Sequence, residues 1–146
     1  MDLGDYDGDG DLDLVTANYN GRECIYENRN GMFTTSPVWQ SYLFDDGTMD
    51  AVWFDVDGDG DLDLFLACSA TTDSKDSNAN MVYLNRPEIW GDQRFGQLPD
   101  WRANDELWTT TAKAADIDKD GDMDIIAANG FNNCNKVVMY ENTGDS

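Results

Sequence analysis

Short apolar runs bounded by glycine and aspartate make up the hydrophobic pattern of this 146-residue chain. Clear examples occupy residues 49–54, 62–67 and 137–140. Runs of about four to eight residues, rich in β-branched and aromatic side chains and closed by turn residues, are typical of β-strands. No segment keeps a 3.6-residue hydrophobic period over three turns, so the pattern predicts no long helix. We therefore expect an all-β fold.

The chain contains an internal repeat, marked by three elements that recur in the same order. The first marker is a run of alternating aspartates, whose copies begin at Asp5, Asp55 and Asp116. The second marker is Tyr-x-Asn, with its tyrosine at Tyr26, Tyr83 and Tyr140. The third marker reads Phe-x-x-x-Pro-x-Trp and occurs at residues 33–39 and 95–101. Recurrence of several markers in one order is typical of repeat architectures.

Each unit reads as a strand, an aspartate loop, a second strand, a variable loop, a strand ending in Tyr-x-Asn, a turn and a strand near the tryptophan. Four antiparallel strands per unit predict a β-propeller blade. We expect a single repeat domain, residues 1–146, with repeats at about 1–43, 44–104 and 105–146. Closed propellers use about four to eight blades. Three blades therefore predict an incomplete propeller, completed by other chains or by missing sequence.

Each run of alternating aspartates forms a nine-residue segment, called here an Asp loop, with positions 1 to 9. Aspartate occupies positions 1, 3, 5, 7 and 9, and glycine occupies position 6. Because one spacing occurs three times, a ligand set explains it better than a general preference of aspartate for turns. The candidate metal ligands are Asp5, Asp7, Asp9, Asp11 and Asp13 in loop one, Asp55, Asp57, Asp59, Asp61 and Asp63 in loop two, and Asp116, Asp118, Asp120, Asp122 and Asp124 in loop three.

Calcium fits this spacing, because it takes about six to eight hard oxygen ligands in a flexible shell. We expect the carboxylates at positions 1, 3, 5 and 9 to surround the ion. Position 7 is expected to offer its backbone carbonyl and to turn its side chain to solvent, and the apolar residue at position 8 to point into the blade. Glycine at position 6 permits the sharp turn because it has no Cβ.

Other metal sites fit less well. Magnesium demands a tighter octahedron, and softer metals prefer thiolate or imidazole ligands; the chain has no histidine and no zinc-type cysteine spacing. An EF-hand is not indicated, because its loop ends in a bidentate glutamate. The corresponding residues here are Thr16, Leu66 and Ala127.

An Asp loop between two strands, followed by Tyr-x-Asn and an aromatic residue, resembles the FG-GAP/VCBS repeat. The resemblance covers nearly the whole chain. It implies β-propeller blades like those in the head of integrin α subunits and in many secreted bacterial proteins. It also implies that each Asp loop joins the first two strands of a blade and holds one calcium ion, which makes three ions in all.

The charge of the chain narrows the choice of partners. There are 30 acidic and 9 basic residues, for a net charge of −21. A chain with only 9 basic residues cannot neutralise many phosphates. We therefore expect no nucleic acid partner and no attraction to an anionic membrane surface. No stretch approaches the roughly 20 apolar residues of a membrane helix, and the acidic residues after Met1 do not predict a signal peptide.

Tryptophan positions suggest both core and surface roles. Trp39 and Trp101 recur at equivalent repeat positions, as core residues do, and we expect both to be buried. Trp90 and Trp108 lack such counterparts. They are candidates for a sugar-stacking or protein-binding surface, because exposed aromatic side chains favour recognition.

The cysteines and one long polar segment leave alternatives open. Cys24, Cys68 and Cys134 are either small packing residues or one disulfide and one leftover thiol. Residues 69–80 form either a solvated surface loop or a partner-binding loop.

The leading functional hypothesis is an extracellular calcium-binding module for adhesion or self-assembly, in which calcium has a structural role. Open strand edges at the ends of the chain invite pairing with another copy. Weak calcium sites, of about 10⁻⁴ to 10⁻³ M, fill outside cells. We expect no enzymatic activity, because there is no histidine and no Gly-x-Ser-x-Gly motif. The alternatives are a carbohydrate-binding, lectin-like module and a fragment of a calcium-dependent polysaccharide-active enzyme.

Overall fold

The computed structural model describes residues 1–43, 47–69, 79–104, 107–130 and 136–144. The strands form three antiparallel sheets that follow one another along the chain, and each sheet is called a blade here. Blade 1 contains β1 (Asp2–Gly4), β2 (Asp13–Thr16), β3 (Cys24–Tyr26) and β4 (Trp39–Gln40). Blade 2 contains β5 (Thr48–Phe54), β6 (Asp63–Cys68), β7 (Met81–Tyr83) and β8 (Trp101–Arg102). Blade 3 contains β9 (Thr109–Ala115), β10 (Asp124–Asn129) and β11 (Lys136–Tyr140).

The prediction of an all-β chain built from three propeller-type blades is confirmed. Neighbouring strands in each sheet are consecutive in sequence, and every pairing is antiparallel. The first strand of blade 1 has only three residues, whereas the first strand of blade 2 has seven. The described part of blade 3 has three strands. The helical structure of the described residues is one turn at Pro87–Trp90, followed by a 3₁₀ turn at Gly91–Gln93.

Blade 2 lies between the other two blades and is buried on both faces. Alternate residues of a strand point to opposite faces of the sheet. In β6, Leu64 and Leu66 pack toward blade 1, whereas Phe65 and Ala67 pack toward blade 3. All six residues of β6 are therefore buried. The two layers of core are called here the first junction, between blades 1 and 2, and the second junction, between blades 2 and 3.

The two equivalent tryptophans differ in burial, which corrects the expectation that both lie in the core. Trp39 is 5% exposed, packs edge-on against Tyr83 and donates from Nε1 to the Gly96 carbonyl at 3.1 Å. Trp101 packs edge-on against Tyr140 in the same way but is 42% exposed. Residues after Tyr83 cover Trp39, and no equivalent segment covers Trp101 among the described residues.

The apolar residue at position 8 packs on the preceding blade in loops two and three. Leu62 adjoins Gly4 of blade 1 and the core of the first junction. Met123 packs against the core of the second junction. Leu12 is 53% exposed. The expectation of an inward-pointing residue is therefore wrong for Leu12, because no preceding blade lies beside it in the described structure.

The remaining sequence expectations have mixed outcomes. Cys24 and Cys68 are both buried, as packing residues are. Cys134 lies outside the described residues, and so do residues 70–78 of the long polar segment. Within the described ranges, no helix has the length and apolarity needed to cross a membrane.

Candidate metal centre

Each Asp loop is a tight curl between the first two strands of its blade. In loops one and two, the position 1 carboxylate closes the curl by accepting a hydrogen bond from the backbone N–H of the position 6 glycine. This bond joins Gly10 to Asp5 and Gly60 to Asp55, both at 3.0 Å. The glycines have φ values of 94° and 93°, in the region that side chains with a Cβ rarely adopt. The role predicted for glycine at position 6 is confirmed.

Backbone hydrogen bonds also orient the carboxylates at positions 3 and 5. In loop one, the Asp9 N–H donates to Asp7 Oδ1 at 3.2 Å, and the Asp11 N–H donates to Asp9 Oδ1 at 2.8 Å. The same two bonds occur in loops two and three. A side chain that holds the backbone two residues ahead forms an Asx turn. Successive Asx turns therefore place alternate carboxylates on the inside of the curl.

Sequence reasoning missed a second left-handed position in the loop, at position 4. Gly8 and Gly58 have φ values of 76° and 73° there. Loop three has Lys119 at this position, with φ at 67°. A residue with a Cβ is strained in this conformation, at a cost of roughly 1–2 kcal/mol. The repeated glycine of loops one and two was the signal available in the sequence.

The structure brings carboxylates together in all three loops. Three groups each offer ligand oxygens within 4.8 Å of one another: Asp5, Asp7 and Asp13; Asp55, Asp57 and Asp63; and Asp116, Asp118 and Asp120. Loops one and two thus gather positions 1, 3 and 9, whereas loop three gathers positions 1, 3 and 5. The predicted ligands at these positions converge as expected, although each group contains three of the four carboxylates.

The position 9 aspartate is buried in every loop and ties the loop to the third strand of its blade. Asp63 accepts hydrogen bonds from the backbone N–H groups of Val56, at 2.9 Å, and Asn85, at 2.8 Å. Asp124 accepts the corresponding bonds from Ile117 and Asn142. One carboxylate therefore organises both the start of the loop and the Tyr-x-Asn element. This is the physical reason why the two markers recur together.

Burial and like charge raise the pKa values of two position 9 carboxyls, those of Asp13 and Asp63. Burial raises the pKa of Asp63 to about 7, and the charges of Asp57 and Asp59 add to the effect. Burial likewise raises the pKa of Asp13 to about 6, with contributions from Asp7 and Asp9. A nearby cation would favour the ionised form and reverse these shifts.

The donor set fits a hard divalent cation. Asp5 Oδ1 is buried and accepts no hydrogen bond from any residue that the structure describes. Asp5 belongs to the cluster of carboxylates in loop one, where a cation would satisfy this oxygen. A buried carboxylate oxygen without a partner is costly. A site built from several protein oxygen ligands suits calcium better than magnesium, which usually keeps several of its waters.

The side chain at position 7 of loop one makes a contact that its predicted role did not include. Asp11 Oδ2 accepts a hydrogen bond from the Asn30 N–H at 2.8 Å, so this side chain does not simply face solvent. It fixes the turn after β3, which the sequence pattern did not indicate. Asp61 and Asp122 are partly buried.

Glu27 is a candidate ligand that the sequence analysis did not identify. A carboxylate oxygen of Glu27 lies within 4.8 Å of ligand oxygens of Asp7 and Asp9. Glu27 also forms a bidentate ion pair with Arg29, with N–O distances of 2.8 and 2.9 Å, which lowers the pKa of Glu27. Because Glu27 directly follows β3 and lies outside the loop, the loop motif does not reveal it.

The three loops differ in how far neighbouring residues cover them. Arg94 donates from Nη2 to the Asp7 carbonyl at 2.8 Å, so blade 2 covers loop one. In loop three, Asp116, Asp118 and Asp120 are all exposed. A loop is thus more enclosed when another blade follows it.

Fold and site together define a β-propeller repeat protein whose loops are able to hold cations. A model of the FG-GAP-like repeat matches the chain twice, over residues 5–66 and 55–127. These matches span well over half of the sequence, and the chain belongs to the FG-GAP-like repeat family. Repeats of this family often bind calcium and are typical of extracellular proteins. A comparison with curated protein sequences finds no significant match.

Proposed function

We propose that this chain is an extracellular calcium-binding repeat module for adhesion or self-assembly, in which calcium is structural and not catalytic. The observation that carries the proposal is the convergence of carboxylate oxygens to within 4.8 Å in three equivalent loops. Three bound calcium ions would reduce the net charge from −21 to −15. Family membership supports the same function.

A structural role for calcium follows from the position of the loops. Each loop connects the first two strands of a blade, and its position 9 aspartate also holds the third strand. An ion bound there restrains three strands at once. Binding to the folded state alone stabilises it by about 2.7 kcal/mol per site when calcium is 100 times the dissociation constant. Sites with a weak affinity for calcium are filled most fully where calcium is abundant, which supports an extracellular location.

Calcium titration with a melting curve tests this proposal. Isothermal calorimetry should count three ions, and a chelator should lower the melting temperature. Asp7→Asn, Asp57→Asn and Asp118→Asn should each remove one ion. Asp92→Asn is the matched control, because Asp92 is exposed in the 3₁₀ turn outside the loops. A melting temperature that is the same with and without chelator would contradict the structural role.

The proposal also covers catalysis and partners. We propose that the module is not an enzyme, in keeping with the lack of histidine in the sequence. Self-association is proposed as its main interaction, because strands at sheet edges and open blade faces are available for pairing.

A second candidate function is glycan binding in a groove at the second junction. The groove has a volume of about 680 Å³, and its lining includes Trp101, Tyr140, Arg86, Asp100 and Asn142. An exposed indole beside polar groups suits stacking and hydrogen bonding to a sugar ring. A glycan array with Trp101→Ala tests this function, and Trp90→Ala, outside the groove lining, serves as the comparison. Equal glycan binding by both variants and the wild type would count against the groove.

A further inference from the structure

One polar contact recurs at both junctions between blades. Asn85 donates from Nδ2 to the Leu62 carbonyl of its own blade, at 3.1 Å, and to the Tyr6 carbonyl of the preceding blade, at 2.8 Å. Asn142 of blade 3 donates to the Val56 carbonyl of blade 2 at 2.6 Å. In each case the asparagine of Tyr-x-Asn donates a hydrogen bond to the carbonyl at position 2 of the Asp loop in the preceding blade.

An apolar contact accompanies this hydrogen bond at both junctions. Position 2 of loops one and two packs on the following blade. Tyr6 stacks on Trp53 with ring centroids 5.7 Å apart, and Val56 packs on the core of the second junction. Position 8 packs on the preceding blade, as Leu62 and Met123 do. Each junction therefore combines the position 2 residue of one blade with the position 8 residue and the asparagine of the next.

The face of blade 1 that points away from blade 2, called here the leading face, presents one half of such a junction. Leu3, Leu14 and Tyr26 lie side by side across its three inner strands. Leu3 and Leu12 are 52% and 53% exposed. Asn28 donates from Nδ2 to its own Leu12 carbonyl at 3.0 Å, as Asn85 does to Leu62. The second bond of Asn85, to a preceding blade, has no counterpart at Asn28 within the described structure.

The face of blade 3 that points away from blade 2, called here the trailing face, presents the other half. Ile117 occupies position 2 and is 37% exposed. Ile126 and Met139 lie opposite each other on neighbouring strands and are 37% and 46% exposed. They correspond to Val15 and Ile25 of blade 1, which pair in the same way and are fully buried at the first junction.

We propose that two copies of this chain pack head to tail, with the trailing face of each copy on the leading face of the other. Asn28 of one copy then donates to the Ile117 carbonyl of the other, which repeats the bond of both internal junctions. A ring of two copies contains six blades, which lies within the range of about four to eight blades that closed propellers use. Two copies therefore close one six-bladed ring through two identical heterologous contacts. This inference rests on the self-assembly part of the proposed function and specifies its geometry.

A second copy is the occupant that the two faces favour. The faces carry the two halves of one interface, which occurs twice within the chain with the same hydrogen bond and the same loop positions. Closure of the ring also buries apolar side chains that are exposed to water in a monomer. Each square ångström of apolar surface removed from water stabilises the dimer by roughly 25 cal/mol.

Light scattering with two face variants tests the ring. In millimolar calcium, the wild type should have twice the 16.3 kDa mass of one chain. Leu3→Glu damages only the leading face and Met139→Glu damages only the trailing face, so each variant alone should be monomeric. An equimolar mixture should form a dimer again, because the Leu3→Glu copy keeps a sound trailing face and the Met139→Glu copy keeps a sound leading face. Ile89→Glu is the control; it is 58% exposed on the short helix and should remain dimeric.

A wild-type dimer supports closure of the ring. Recovery of the dimer in the mixture supports the head-to-tail contact, because the mixed pair keeps one intact contact and has one contact damaged on both sides. A monomeric wild type or dimeric single variants would each overturn the ring, and dimeric single variants would indicate pairing of strand edges. Calcium-dependent melting, recorded on the same samples, separates this result from the calcium proposal. A chelator-sensitive monomer overturns the ring alone, whereas a chelator-insensitive dimer overturns the structural role of calcium alone.

Discussion

At the scale of single residues, the position 9 aspartate connects the sequence motif to the fold. Asp63 is 1% exposed and accepts two backbone hydrogen bonds. Its carboxylate lies close to those of Asp55 and Asp57. A buried carboxylate near like charges favours its protonated form. In the absence of a cation, this residue therefore stabilises the fold best when it is neutral.

We predict that the calcium-free protein is more stable at pH 5 than at pH 8. The folded-state pKa values of Asp13 and Asp63, about 6 and 7, lie above the ordinary value of 3.8. The folded state thus binds more protons than the unfolded state between these values, and stability falls as the pH rises through the folded pKa values. Urea denaturation at several pH values measures this change. Saturating calcium should remove the loss at pH 8, and a calcium-free stability that rises steadily from pH 5 to 8 would refute the prediction.

We predict that Lys119→Gly raises the free energy of unfolding by about 1 kcal/mol, by relieving the positive φ of 67°. Lys119→Ala removes the same charge but keeps the Cβ, so it is the matched control and should bring no such gain. Chemical denaturation of both variants in calcium separates the backbone effect from the charge effect. Equal stability of the two variants would show that φ at this position has no influence.

At the scale of structural elements, a blade depends on what packs against its outer strand. β4 and β8 pair with the third strand of their blades in the same register. Trp39 of β4 contacts Tyr83 and Phe95 of the following blade, with ring centroids 5.2 and 5.7 Å away. Trp101 of β8 makes only the corresponding tyrosine contact among the described aromatic residues. Equivalent strands therefore contribute unequally to stability.

We predict that Trp39→Ala lowers the free energy of unfolding by about 3–5 kcal/mol, the usual cost of removing a buried large aromatic side chain. Trp101→Ala should cost roughly 1 kcal/mol, because Trp101 is 42% exposed. Guanidinium denaturation in saturating calcium gives both values with one method. A larger loss at Trp101 would mean that the groove at the second junction is closed in solution.

At the scale of the whole molecule, charge and blade packing act against each other. A net charge of −21 on 146 residues opposes the compact state through self-repulsion. The carboxylate groups of the Asp loops concentrate this repulsion close to the junctions. Cations that bind the loops or screen them therefore stabilise all three blades together.

We predict that sodium chloride raises the melting temperature of the calcium-free protein more than that of the calcium-bound protein. Salt at about 1 M shortens the Debye length to roughly 3 Å, which screens the repulsion between exposed carboxylates. Bound calcium already neutralises part of that charge. Differential scanning calorimetry with and without calcium measures both slopes, and equal slopes would argue against repulsion in the Asp loops as the main cause.

Local pattern was sufficient to predict the repeat, the strands and most of the loop geometry. The strands at 48–54, 63–68 and 136–140 coincide with the apolar runs of the sequence to within one residue at each end. The glycine at position 6 of each loop has the positive φ that its turn requires. These features depend on residues fewer than ten positions apart, so a single stretch of sequence contains the information.

The sequence alone therefore determined the all-β repeat architecture and the three groups of candidate ligands. Only the tertiary structure decided how neighbouring blades modify each repeat. It placed Glu27 beside loop one, exposed Leu12 and Trp101 while it buried Leu62 and Trp39, and raised the pKa of Asp63 by burial. The physical reason is that solvent exposure depends on packing between residues that are distant in sequence. Equivalent positions in a repeat therefore acquire different environments according to which blades lie beside them.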